Sequence, residues 1–464
     1  MLFNTPQFFL FLVAVLVLFY ASPRRRRKYI LLAASYFFYA SWNYKFIALL
    51  LTLTVIDYTA AIWLEKAHTV TWKKAVLLLG LSANLSFLGF FKYFNFLAGN
   101  LALALGKPAD SFFRDIVLPL GISFHTFQSM SYIVDVYRGE QQAVRNPLDY
   151  ALYICFFPQL VAGPIVRARN FFHDLLHWQP PTQADVSRGI LLLAVGLAKK
   201  MAFADQFANV ANAYFGNIQG NPGMLAAWSG VIAFGLQIYF DFSGYTDMAI
   251  GMAKLLGFHF PVNFRRPYLA SSITDFWRRW HISLSSWLRD YLYIPLGGSR
   301  HGQWKTYRNL VLTMLLGGLW HGASWNFMIW GLYHGALLAV ERGFRGNRAI
   351  REQWDGFYPF KAVLTFVLVM IGWVFFRAAD LRQSGQVLGQ MFSGGHSHSL
   401  LLHWQMDLAV LALLLAIAEE KQEWFDRLAD AHALVYASGL ALVFFLIEVF
   451  GAMDASVPFI YFQF

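Results

Sequence analysis

Two histidines stand in one apolar run, residues 309–340, which reads NLVLTMLLGGLWHGASWNFMIWGLYHGALLAV. The run is apolar enough for a bilayer, yet it holds Trp320-His321-Gly322 at its middle and His334 further on. A charged group at membrane depth costs ~2.5–3.5 kcal/mol on insertion scales, so an ionisable side chain kept there marks a pathway or a reaction site. Gly317, Gly318 and Gly322 bracket His321, so the backbone there can bend or let another group approach closely. The competing reading is purely structural: a neutral imidazole hydrogen-bonded between helices.

Three other groups of residues carry possible chemistry. In YFDFSGYTD, residues 239–247, Asp241 and Asp247 lie six apart with Gly244 between them. Carboxylates inside a span need partners, the obvious ones being Arg or His groups of the core, and a proton relay and a structural ion pair are both open. In residues 271–295, Trp277, Trp280, Leu284, Trp287 and Tyr291 recur at helical spacing, while Arg278, Arg279, Ser286 and Arg289 fall elsewhere around the helix. With Thr274 as N-cap and Asp275 at the positive end of the dipole, this predicts an amphipathic helix at the cytoplasmic interface. Its arginines either anchor on anionic lipid or form a basic rim that attracts an anionic acyl donor such as a coenzyme A thioester. His281 sits beside Trp280 there, and His125 is a third buried histidine, in GISFHTF. No HExxH or paired Cys/His spacing supports a metal site. The lack of GxGxxG, Walker A and GxSxG motifs argues against dinucleotide, ATP and serine-hydrolase chemistry.

The elements that position these residues follow from composition. Hydrophobic residues make up 58% of the 464 and charged residues 14%, against roughly 25% charged in soluble domains. Apolar runs recur from end to end, which predicts an all-α polytopic membrane protein forming one domain, 1–464. Cys155 is the single cysteine, so no intrachain disulfide exists and packing is its expected role. The net charge of +11 speaks of topology before nucleic acid, and no nucleic-acid partner is expected. Residues 1–20 lack a basic n-region and a clear cleavage site, so they read as a retained first span.

That span, 8–22, ends at Arg24-Arg25-Arg26-Arg27-Lys28, a cluster that should stay cytoplasmic and place the N-terminus outside. Further apolar segments cover 29–43, 46–64, 75–98 and 116–136. In 150–166, Pro158, Gly163 and Pro164 predict a broken or re-entrant segment, because irregular backbone at depth must be buried in protein or line a cavity. Spans at 189–206 and 225–253 follow. Residues 254–308 then hold nine Lys or Arg and two acids, which makes them a cytoplasmic interfacial segment. The run 309–340 ends in Arg342, Arg345, Arg348 and Arg351. At about 20 residues per span it is too short for two full crossings, so it predicts a hairpin that dips in and returns. Spans at 360–377, 404–418 and 434–450 close the chain. Nine to twelve spanning helices result, with re-entrant and interfacial helices besides.

PYLASSITDFWRRWHISLSSWLRDYLYIPLGG followed by RNLVLTMLLGGLWHGASWNFMIWGLYHG closely resembles the membrane-bound O-acyltransferase (MBOAT) family. YFDFSGYTDMAIG, LPLGISFHTFQSMSYIVDVYRG and SYFFYASW agree too, so the resemblance covers nearly the whole chain. The nearest branch is the bacterial one that acetylates exported polysaccharides such as alginate, cellulose or peptidoglycan. By this resemblance His321 is the essential intramembrane histidine and His281 a second, cytoplasmic-side catalytic histidine. Arg278, Arg279, Trp320, Asp241 and Asn326 are expected to bind donor or line the channel. The resemblance implies a ring of spanning helices around a thin central wall in a bacterial inner membrane. Acetyl-coenzyme A is the implied acyl donor, with no bound cofactor. A periplasmic acetyltransferase and polysaccharide-export machinery are the implied partners, besides the lipid bilayer.

Acyl transfer from a thioester needs a base near neutral pH to activate a hydroxyl, and histidine suits that task. Backbone freed beside Gly317, Gly318 and Gly322 could offer N–H groups to an oxyanion. Ser324 is the nearest candidate for a covalent nucleophile, without convincing placement. Two other classes remain: a proton-coupled transporter using the same broken helices, and a scaffold of an export complex.

Overall fold

The computed structural model describes residues 1–160, 163–345, 358–394, 397–452 and 459–460. Every regular element among them is helical. The apolar runs dictate this, because at membrane depth a helix satisfies each backbone N–H and C=O within its own segment. Among the described residues, five stretches are long and apolar enough to cross a membrane: Arg24–Lys66, Val70–Ala104, Met224–Leu255, Tyr358–Arg377 and Ala433–Phe450. The chain forms two compact units, 1–190 with 248–261 and 191–247 with 262–464.

In the first unit, the helix expected from residue 116 starts only at Ile122 and runs to Arg138. Gly121 before it has φ +70, and a Cβ there would lie 2.3 Å from the Leu160 carbonyl oxygen. Any larger residue would lose both the turn and the close approach. The break expected in 150–166 is present. Helix Pro147–Cys155 stops at Phe156 and a single turn, Phe157–Leu160, follows. Residues 151–160 are all buried, and Phe157 N–H donates to Ser35 Oγ at 3.1 Å. Irregular backbone is thus sheltered by protein, as it must be. Cys155 is buried and free within this packing.

The second unit carries every candidate site residue except His125, which lies buried in helix Ile122–Arg138 of the first. Its hairpin is longer than the apolar run implied: helices Gln303–His321 and Trp325–Arg345 have 19 and 21 residues. At 1.5 Å per residue they extend roughly 28 and 31 Å, each close to the thickness of a bilayer core. Lys305, Arg308 and Arg342, expected as flanks, lie inside these helices, and Arg345 ends the second. Arg348 and Arg351 lie outside the described residues. The two helices meet backbone to backbone. A Cβ on Gly318 would stand 2.2 Å from the Phe327 carbonyl oxygen, and one on Gly331 would stand 2.3 Å from that of Met314.

The expected amphipathic helix over 271–295 is instead two short helices, Ile273–Arg279 and Ile282–Leu288, followed by a wide turn at Arg289–Tyr293. Ser272, not Thr274, is the N-cap, accepting from Asp275 N–H at 3.1 Å. Of the expected stripe, Trp280, Leu284 and Trp287 are buried against protein, while Trp277 and Tyr291 are half-buried. Helical spacing holds on each side of the break, but the break splits the expected amphipathic face between two short helices.

Candidate active site

His321 is the last residue of the first hairpin helix, and Gly322 after it is extended (φ −163, ψ 153). The chain stops being helical there because the second helix begins only three residues later, at Trp325. Phe327 fills the space beside Gly322: a Cβ at Gly322 would fall 2.0 Å from its ring. Gly317 and Gly318 are not part of the break. They lie within the helix, where their N–H groups are committed to the helical ladder, so they offer no oxyanion donors. Gly317 faces Leu288, and Gly318 serves the close contact between the helices.

The His321 ring is 4% exposed and is enclosed by aromatics. Ring centroids of Trp320, Trp330 and Phe376 lie 4.9, 5.1 and 5.2 Å away. Trp320 also reaches His281, at 6.2 Å. The two histidines that the sequence places 40 residues apart therefore share one indole. Trp330 continues the series to His334, at 5.0 Å.

His281 is not a surface residue. It is fully buried and sits in the gap between the two short helices with φ +43, ψ 55. A left-handed non-glycine residue costs on the order of 1–3 kcal/mol and persists only where its surroundings fix it. Asn263 does the fixing. Its carbonyl oxygen accepts from Ile282 N–H at 2.9 Å. Its Oδ1 accepts from Ser283 N–H at 3.1 Å, from Ser283 Oγ at 2.9 Å and from His281 Nδ1 at 3.2 Å. An amide oxygen only accepts, so Nδ1 carries the proton and the lone pair sits on Nε2. Burial pushes this imidazole down to about 3, which keeps it neutral.

The other expected residues divide. Asn326, also buried, donates from Nδ2 to the Ala378 carbonyl at 2.8 Å, while its Oδ1 has no hydrogen-bond partner among the described residues. The same is true of Trp330 Nε1 and of both His334 nitrogens. Buried polar atoms are rarely left so. Arg279 does not form an open basic rim: it pairs with Asp275 at 2.9 Å and Glu420 at 3.0 Å. Arg278 is exposed and makes no ion pair among the described residues. Asp241 is paired with Lys200 at 3.0 Å and accepts from Ile460 N–H at 2.7 Å. Lys200 also pairs with Asp205 at 2.8 Å, all three side chains being at most 2% exposed. Asp247 pairs with Lys199 at 2.5 Å. The partners of the two aspartates are therefore lysines, not the Arg or His groups expected. Ser324 lies at the start of the second hairpin helix, where its Oγ accepts weakly from Phe327 N–H at 3.4 Å.

Sequence reasoning missed Asn263 and Trp330. Asn263 sits in a loop without periodicity, and Trp330 reads as one more apolar residue of the run. Only a count of buried polar groups needing partners would have singled them out.

Residues 69–378 match the sequence model of MBOAT, the membrane-bound O-acyltransferase family. The chain is 46% identical over 399 residues to "Probable alginate O-acetylase AlgI" of Azotobacter vinelandii, covering 85% of this chain and 79% of the relative. The protein of the same name from Pseudomonas aeruginosa is 46% identical over 85% of this chain and 75% of its own length. The "Peptidoglycan O-acetyltransferase" of Helicobacter pylori is 37% identical over 86% of this chain and 78% of its own.

Proposed function

Since the chain belongs to the membrane-bound O-acyltransferase family and is an O-acyltransferase, we propose that it moves an acetyl group from acetyl-coenzyme A toward an exported polysaccharide, with His321 as the general base. The observation that carries this reading is His321 itself: a buried imidazole at a helix end, followed by an extended glycine and joined through one indole to a second buried histidine. The names of the relatives support acetyl as the group and alginate or another cell-surface polymer as the final acceptor.

The chemistry proceeds as follows. His321 takes the proton of an acceptor hydroxyl as its oxygen attacks the thioester carbonyl. The new C–O bond forms, the C–S bond breaks, and the proton passes from the imidazolium to the departing thiolate. The carbonyl end of the helix that His321 terminates is negative, which favours the positive charge the ring acquires. The ring of Trp320, Trp330 and Phe376 excludes water, so the acetyl group is transferred and not hydrolysed. Asn326 Oδ1 and Trp330 Nε1 are an acceptor and a donor with hydrogen bonds to give to substrate. His281, its tautomer fixed by Asn263, stands on the side from which donor arrives. Among the charged residues first assigned to donor, Arg278 remains suited to attract the anionic thioester, whereas Arg279 and Asp241 hold the fold.

The basic residues in 24–28 and 254–308 support an inner-membrane protein with its N-terminus outside and its donor side in the cytoplasm. The whole chain 1–464 acts as one acyltransferase domain, handing the acetyl group to a periplasmic acetyltransferase of the export machinery. Purified protein in detergent, incubated with acetyl-coenzyme A and an acceptor polyol, should release free thiol and form an acetyl ester. A transporter or a scaffold would release none.

A further inference from the structure

The first unit holds a cavity of about 600 Å³ that contains none of the candidate active-site residues. Its walls include Arg24, Arg25, Arg27 and Lys28 and no carboxylate. Lys28 is neutralised by Asp149, 2.7 Å away. The three arginines make no ion pair among the described residues. Arg27 lies over the Trp178 ring at 4.4 Å and Arg24 over the same ring at 5.2 Å. Arg24 also donates to the Trp178 carbonyl oxygen. Indole and carbonyl therefore hold two guanidinium groups side by side, and Arg25 beside them is exposed.

Such an arrangement repels itself. The arginines occupy the first turn of helix Arg24–Asn43, which has no acidic residue there and no side-chain cap, so their charges add to the positive end of the helix dipole. An anion bound there would offset this charge. The rest of the wall specifies its form: Leu31, Leu175, Leu176 and Phe258 line the same cavity. A free phosphate has no use for that surface, whereas a phosphate carried on hydrocarbon does. Clusters of four or more basic residues beside a spanning helix attract anionic lipid in general; here the cluster is folded into a cavity with an apolar floor.

We infer that this cavity binds the phosphate headgroup of an anionic phospholipid, with Arg24 and Arg25 as its principal ligands and the leucines and Phe258 against the start of the acyl chains. The inference is independent of the acyl-transfer reading.

The test uses the full chain, purified and delipidated in neutral detergent, with short-chain phosphatidylglycerol as probe and thermal unfolding as readout. Phosphatidylglycerol should raise the Tm in a saturable way, while phosphatidylcholine of equal chain length and glycerol phosphate at the same concentrations should not. Arg24→Ala with Arg25→Ala should weaken the apparent affinity roughly 30-fold, and Arg25→Gln alone, which breaks no ion pair among the described residues, roughly fivefold. Lys73→Ala with Lys74→Ala, a basic pair outside the cavity, should leave it unchanged. Equal stabilisation by phosphatidylcholine would overturn the headgroup assignment, and equal stabilisation by glycerol phosphate would overturn the lipid. Unchanged affinity in Arg25→Gln, or an equal loss in the Lys73/Lys74 variant, would overturn the site.

Discussion

Two places in the second unit halt a helix at a buried histidine, and they do it by opposite means. At His321 the stop is written into the chain: Gly322 is extended, and Gly318 and Gly331 let the returning helix lie against the first. At His281 no glycine is present. A histidine is forced into left-handed backbone and held by hydrogen bonds that Asn263, 18 residues earlier, accepts. The first device is steric and local, so it tolerates no added atoms. The second is polar and tertiary, so it tolerates shape changes but not the loss of an acceptor. Both converge on Trp320, which touches each ring.

The steric device should break most severely. Gly331→Val places atoms inside contact distance of the Met314 carbonyl, and overpacking of this kind costs typically ~1–3 kcal/mol or more. The helices should part, His321 should lose its enclosure, and both protein level and activity should collapse. Near-normal Tm in detergent would show that the hairpin does not depend on this contact.

The polar device should fail by a smaller amount and be rescued by chemistry. Asn263→Ala removes the acceptor of three side-chain and main-chain donors and should cost about 1–3 kcal/mol for the polar groups left buried and unpaired. Asn263→Asp keeps the oxygen and should recover most of the Tm. Equal damage in both variants would mean that Asn263 matters for packing alone.

The pH response should separate the two breaks further. In an unfolded chain a histidine titrates near ~6.5, whereas burial holds His281 down to about 3. The unfolded state therefore takes up a proton first as pH falls. The stability that His281 contributes is complete above ~6.5 and drains away between there and about 3. Lowering the pH from 7 to 5 should reduce the Tm, and His281→Gln should flatten that slope. The same slope in the variant would place the titrating group elsewhere.

The smallest effect should come from the rim. Arg278→Ala should raise the KM for acyl-coenzyme A severalfold and leave kcat unchanged, the pattern of lost binding. Arg279→Ala, which breaks pairs with Asp275 and Glu420, should lower the Tm instead. A kcat effect from Arg278→Ala would move it from steering into the chemistry.

The contrast between the two breaks also explains what could be read in the sequence. The helical class, the hairpin and the helix break after His321 were legible because hydropathy and glycine act locally. The hairpin's length was not, because its helices extend past both ends of the apolar run, through Lys305 and Arg308 before it and Arg342 after it. Asp241 announced that it needed a partner, but nothing local pointed to Lys200 in a lysine pair 41 positions earlier. His281 looked like part of a continuous surface helix, because the hydrogen bonds that break that helix come from a distant loop.

The central claim is that His321 takes up a proton during acyl transfer. His321→Gln keeps bulk and hydrogen bonding but accepts no proton, so it separates a base from a packing residue. Thiol release from acetyl-coenzyme A should be measured with wild type and His321→Gln at matched protein level and matched Tm. The account predicts a loss of ~10²–10⁴-fold in the saturated rate. A variant that retains most of the wild-type rate at normal Tm would make His321 structural and contradict the mechanism.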